Sequence, residues 1–163
     1  MPTGSPGSVE LRPAEPADEP FLRDVYASAR ADELARVPWS DEQKRAFTDQ
    51  QFTAQDTYYR EHYEGAAYDV ILIDGERAGR LYVARWPEEI RIMDITILPE
   101  FRGAGAGTRL LEKLQAEAAA GDKSLSIHVE GFNPALRLYA RLGFQAVEER
   151  GAYVFMEWRP PAS

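Results

Sequence analysis

The sequence predicts an α/β protein of layered architecture, with a mixed, mostly antiparallel sheet of about seven strands and four helices packed on it. Three observations carry this expectation. Helical and strand periodicities alternate along the chain in the order β-α-α-β-β-β-α-β-α-β-β. The middle of the chain carries hairpin signals, Asp74-Gly75 above all, which join neighbouring strands antiparallel. Two later helices separate strands, and right-handed crossovers of that kind join parallel ones.

Taken in order, residues 1–8 are small and proline-rich, and read as a disordered tail ahead of a single domain over 9–158. Val9 to Arg12 makes a short first strand. Phe21, Leu22, Val25, Tyr26 and Ala29 recur at helical spacing, giving a helix over about 18–34 with Asp18 as its N-cap. Pro38 ends it, and Ser40-x-x-Gln43 is a capping box that opens a second helix reaching about Tyr63. Phe47, Phe52, Tyr58, Tyr59 and Tyr63 make that helix aromatic, which suits either core packing or the wall of a pocket. Tyr68–Ile73 and Gly79–Arg85 are the arms of the Asp74-Gly75 hairpin. Residues 90–98 follow, with Ile90, Ile92, Ile95, Ile97 and Leu98 nearly continuous, as in a strand covered on both faces. A helix to about Ala119 stops at Gly121, and Leu125–Val129 is a strand. Asn133-Pro134 caps and starts a helix to about Arg141, after which 144–148 and 153–158 are strands and 159–163 a plain terminus.

The glycine-rich stretch after residue 98 is the centre of the chain. Pro99 stops the strand, Gly103, Gly105 and Gly107 allow a sharp turn and a close ligand, and Leu110, Leu111 and Leu114 begin an amphipathic helix. A helix opening on bare amides, with Arg102 at its mouth, is an anion site suited to phosphates. No Gly-Lys-Ser/Thr follows, so it is not a P-loop, and the G-x-G-x-G spacing with no acidic ribose partner argues against a dinucleotide fold.

Bulk properties narrow the function classes. The chain has 163 residues and no cysteine, which excludes disulfides, thiolate metal sites and a cysteine nucleophile. His62 and His128 are too far apart in sequence for metal-ligand spacing, so no metal is expected. A net charge of −8 argues against nucleic acid and suits a cationic acceptor as a field effect. No apolar run long enough for a membrane span and no signal-peptide core occur, so a cytoplasmic protein with no membrane partner is expected.

Two motifs then meet. Arg102-x-x-Gly105-x-Gly107 resembles the acetyl-CoA loop of the GCN5-related N-acetyltransferase (GNAT) superfamily. Asn133, Ala135, Leu138, Tyr139, Leu142, Gly143 and Phe144 resemble its signature N-x-A-x-x-L-Y-x-x-L-G-F. The element order also fits, over roughly residues 9–158. The resemblance implies a three-layer fold with splayed strands four and five, and transfer of acetyl from acetyl-CoA to a primary amine of a small molecule or peptide. It further implies that Arg102, Gly103, Ala104, Gly105, Ala106, Gly107 and Thr108 hold the pyrophosphate, with Asn133 nearby. Ile95 and Ile97 would bond the pantetheine arm through their backbone, the Ile97 amide polarising the thioester, and Tyr139 would protonate the departing thiolate. Many relatives pair as homodimers.

The base is open. His128 lies five residues before Asn133, where some relatives carry a catalytic glutamate, and is either a base or a half-buried strand histidine. Asp94 faces the substrate or pairs on the sheet, and Glu130 draws in a cation or is solvated. Arg91 stands where another branch keeps its glutamate, so that branch's chemistry does not carry over, and ordered water is a further route. Other readings of the chain are an acyl-CoA sensor without transfer, a transferase of another acyl-CoA, and a nucleotide-binding protein.

Overall fold

The structure is a computed structural model describing residues 8–131 and 133–161. The tail expected over residues 1–8 lies outside these except for Ser8, whose N–H donates to Asp74 Oδ1. A seven-stranded sheet runs in the order β1-β2-β3-β4-β5-β7-β6. Its strands are β1 (Val9–Pro13), β2 (Ala67–Ile73), β3 (Glu76–Arg85), β4 (Glu89–Ile97), β5 (Ser124–Glu130), β6 (Gln145–Arg150) and β7 (Tyr153–Trp158). Every neighbouring pair is antiparallel except β4 with β5. The four helices are α1 (Glu19–Leu34), α2 (Asp41–His62), α3 (Ala106–Ala120) and α4 (Leu136–Arg141).

The helices form two layers around the sheet. The larger core unites Leu110, Leu111 and Leu114 of α3 and Tyr139 of α4 with Ile71, Leu81, Ile90, Ile92, Leu125 and Ile127 of the sheet. On the other face Leu22 and Tyr26 of α1 and Phe52 of α2 close on Val70. Single apolar side chains of this size are each worth about 1.5–3 kcal/mol when buried, so the two stripes hold the layers together.

Local signals explain most boundaries. Asp74 and Gly75 both take positive φ, 51° and 82°, as a two-residue type I′ hairpin requires. Ser40 Oγ accepts from Gln43 N at 3.1 Å while Ser40 N donates to Gln43 Oε1 at 2.9 Å, so the capping box forms at α2. The buried face of α3 is the expected one, with Arg109, Glu112 and Lys113 outside it.

Two expectations need correction. Asp18 precedes α1 but does not cap it, because its carboxylate turns back to Glu15 N, Arg12 and Arg77. Helix α4 starts at Leu136, since Asn133 spends its side chain on a tight turn, Oδ1 accepting from Ala135 N at 2.9 Å. Gly121 caps the C-terminus of α3 as expected, and the left-handed residue that follows it is Asp122, at φ 52°. Strand β4 is covered on both faces, none of its residues being exposed, but only one of those faces is apolar, for a reason that belongs to the site.

Candidate active site

Strand β4 carries an extra residue. Opposite β3, Tyr82 pairs with Asp94 and Val83 with Ile92, which leaves Met93 as a bulge. The bulge shifts the two-residue alternation by one, so Ile95 and Ile97 return to the α3 face with Ile90 and Ile92. Asp94 and Thr96 fall on the opposite face, towards α1 and α2. The Met93 carbonyl is taken off the ladder, and Tyr59 of α2 donates its hydroxyl to it at 3.1 Å.

Beyond the bulge the sheet opens. Strands β4 and β5 are paired only from Glu89 with Ser124 to Ile92 with Ile127, although β4 runs on to Ile97 and β5 to Glu130. Leu98 N donates to Ala78 O of β3, and the alternation of an antiparallel ladder then turns the Thr96 amide the same way. The peptide groups of Ile95 and Ile97 therefore face the opening between β4 and β5. Ile97 O already accepts from Arg102 Nε at 2.8 Å, which draws the loop against this edge.

The loop from Arg102 leads directly into α3. Gly103 and Gly105 take φ of 86° and 85°, a conformation in which a Cβ costs about 1–2 kcal/mol. Gly107 belongs instead to the first turn of α3, close to the Ile97 side chain. The first helical bond is Arg109 N to Gly105 O, and among the described residues no amide from 103 to 108 donates to a backbone carbonyl outside the helix. These amides, at the positive end of the α3 dipole, form the donor set that a pyrophosphate needs. The fit to a CoA-type cofactor thus rests on two features, the amide run and the open edge of β4.

Tyr139 is the buried residue of α4, 5% exposed, with its ring edge-on to Phe144 at 5.7 Å. Burial raises its phenol above the ordinary value, and the Asp94 charge adds to the shift. Leu138 and Leu142 pack α4 on the core, and Gln115 Nε2 holds Leu142 O at 2.8 Å.

On the α1/α2 face the acids are paired. Asp94 accepts from Arg80 Nε and from Thr96 Oγ1, while Arg80 Nη2 donates to Gln55 Oε1 at 2.7 Å. Arg80 is 2% exposed and lies over the Tyr82 ring at 4.6 Å, with Tyr26 and Phe52 nearby. Glu130 meets Arg30 of α1 at 3.5 Å. Glu89 joins Arg91 to Ser126. His128 is half-buried one step beyond the last β4–β5 pair, tilted against Phe155, and its Nε2 accepts from Arg150 Nη1 at 2.9 Å. Burial lowers its pKa, and Arg91 and Arg150 lower it further.

The aromatic segment of α2 divides. Phe52 is core, Tyr59 reaches the bulge, Tyr63 stacks on Trp86, and Tyr58 is exposed against His62. Sequence reasoning did not single out Arg80 or Arg150, and it named Tyr59 only as one of five aromatics suited to the core or to a pocket wall. The one available signal was the break of the isoleucine alternation between Ile92 and Ile95, which marks the bulge. Among the described residues no group of three or more His, Asp or Glu could hold a metal, and no helix is long and apolar enough to cross a membrane.

The fold is shared with solved structures. PaiA N-acetyltransferase from Thermoplasma acidophilum in complex with coenzyme A is similar at a TM-score of 0.71 and 16% identity, over 94% of this chain and 99% of that one. An acetyltransferase from Thermus thermophilus gives 0.69 and 21%, over 94% and 97%. The ribosomal-protein-S18-alanine N-acetyltransferase of Escherichia coli gives 0.66 and 19%, over 96% of each. No curated protein matches the sequence. The family model "Acetyltransferase (GNAT) family" matches residues 23–144, which contain the bulged strand, the glycine loop and the α4 motif. The chain belongs to the GNAT acetyltransferase family.

Proposed function

We propose that this protein transfers an acetyl group from acetyl-CoA to the primary amine of a small molecule or peptide in the cytoplasm, by direct attack with both substrates bound. The observation that carries this reading is the run of amides from Gly103 to Thr108 set against the open edge of β4. Gly103, Ala104, Gly105, Ala106, Gly107 and Thr108 hold the diphosphate through backbone N–H groups, with Arg102 adding charge. Ile95 and Ile97 would bond the pantetheine arm as a neighbouring strand does, and the Ile97 N–H would be the donor to the thioester oxygen, where negative charge grows. Asn133 bounds the arm from the α4 side. The acetyl thioester supplies an acyl carbon open to attack by an amine.

Tyr139 is the acid. Burial, with the Asp94 charge, holds its phenol above the ordinary value, so the group stays protonated until a basic thiolate departs beside it. His128 is the base, favoured in its neutral form by burial and by its arginine neighbours.

Thermal stability with CoA, acetyl-CoA, ATP and NAD at matched concentration tests the reading. A ligand at 100 times its Kd stabilises by about 2.7 kcal/mol. A rise with CoA and acetyl-CoA alone, followed by thiol release with an amine, is expected. A rise with ATP or NAD instead, or with none, would overturn it, and CoA binding without thiol release across a broad amine panel would make the protein a sensor.

A further inference from the structure

Arg150 occupies the only lone pair that His128 offers. A guanidinium has donors and no acceptor, so its contact at 2.9 Å is an N–H pointing into Nε2. The neutral ring then carries its hydrogen on Nδ1, and no ring nitrogen is left to take a proton. Arg150 itself is lightly held. Among the described residues its other ion-pair partner is Glu148, two residues away on the same exposed edge strand, and its guanidinium rests over the Phe155 ring at 4.6 Å. All six residues of β6 are exposed, so the guanidinium can exchange partners without disturbing the core. The charges that act on His128 are Arg91 and Glu89 of β4 with Arg150 and Glu148 of β6, two of each sign, so this patch is balanced inside a chain of net charge −8. Over the ~8–10 Å that salt allows a charge to act, the local field decides what docks.

We infer that Arg150 selects the acceptor: it binds a carboxylate carried by the amine substrate, and in turning to that carboxylate it releases His128 Nε2 to act as base. The acceptor class is then an amine bearing a carboxylate, as in an amino acid, which differs from the basic acceptor suggested by net charge. The inference rests on the acetyltransferase reading above. The acceptor ammonium gives one proton to His128 Nε2, and the neutral amine forms the C–N bond at the acetyl carbon. The C–S bond breaks with its electron pair on sulfur, which takes the Tyr139 proton. The second nitrogen proton returns to the phenolate through water, and His128 hands its proton to solvent. Ammonium and thioester become amide, thiol and one proton.

The test pairs each free amino acid with its carboxamide as acceptor, in the wild-type protein and in Arg150→Gln, by thiol release at saturating acetyl-CoA. A preference for the acid of at least about tenfold in kcat/KM is expected, a difference of about 1.4 kcal/mol, and it should fall to near unity in Arg150→Gln. Equal or better use of the amides overturns the inference while leaving acetyl transfer standing. An acid preference that survives in Arg150→Gln removes Arg150 from the selection. If CoA stabilises the protein but none of these acceptors releases thiol, the inference also fails, whereas loss of CoA binding is failure of the acetyltransferase reading itself. As a second reading, an N-acetylamino acid added with CoA should move the His128 ring 15N signals in the wild type and leave them in place in Arg150→Gln. No movement in the wild type, or an equal movement in the variant, counts against it.

Discussion

Arg80 on β3 and Asp94 on β4 form an ion pair beneath aromatic side chains, with Gln55 completing the guanidinium's bonds and Thr96 the carboxylate's. Its worth depends on completeness, because a buried cation without its partner keeps its desolvation cost and loses the attraction that offset it. Asp94→Ala is therefore expected to destabilise by about 3–5 kcal/mol in denaturant unfolding. Arg80→Met combined with Asp94→Leu should lie much closer to the wild type. Additive losses in the double variant would contradict this account.

Gly79 and the Thr96 carbonyl approach too closely for any side chain. A Cβ at position 79 would stand 2.1 Å from that backbone oxygen. Gly79 also pairs with Ile97 across the sheet, so relief of the clash would displace the edge that faces the opening. Gly79→Ala should cost about 3 kcal/mol or more and weaken CoA binding along with stability. A folded variant with unchanged melting and unchanged CoA affinity would refute the close approach.

Asp18 ties the start of α1 to the sheet and supplies a pH dependence. The Arg12 side chain lowers its pKa well below the carboxylate range, opposed by burial and helped by Glu15 N–H and Arg77. Its stabilisation is complete above the ordinary carboxylate pKa of about 4 and is lost as pH falls from there towards the folded value. Asp18→Asn should lower the melting temperature at pH 7, and the difference should shrink as the pH drops through about 4 to about 2. A difference independent of pH would show that the charge is not the cause.

Tyr139→Phe removes one hydroxyl from a packed ring. Turnover should fall by about 100-fold, the lower end for a positioned general acid, with CoA affinity unchanged. Because the folded phenol is held above its ordinary value, the wild-type rate should show no loss from this group up to about pH 10. Equal loss of turnover and CoA affinity would make Tyr139 a packing residue.

Much of this architecture was legible in short windows of sequence. The I′ turn at Asp74-Gly75, the capping box at Ser40 and the leucine stripe of α3 depend on residues within a few positions of each other, and local chemistry decides them. The glycine loop was readable for the same reason. Asp18 was misread because its carboxylate turns back to Arg12 and the Glu15 N–H, with Arg77 of β3 as a further partner, instead of forward to the helix. Arg80 was invisible as a site residue because its partners come from α2 and β4. The strand containing Asp94 is covered on both faces as read, but the polar character of one face was missed, since its isoleucines were counted as a run and their interrupted spacing was not used.

The extra residue at Met93 lengthens one edge of the strand without changing which partners lie beyond it. Tyr82 faces Asp94 and Val83 faces Ile92, so a chain lacking Met93 would continue as a plain ladder with the same pairs. Asp94 and Thr96 would stay on the α1/α2 face, and Ile95 and Ile97 in the isoleucine layer with their peptide groups towards the opening. What would be lost is the carbonyl that Tyr59 holds, and with it the local bend and added twist that a bulge gives. The unpaired residue therefore sets the curvature of the strand end, not the order of its faces.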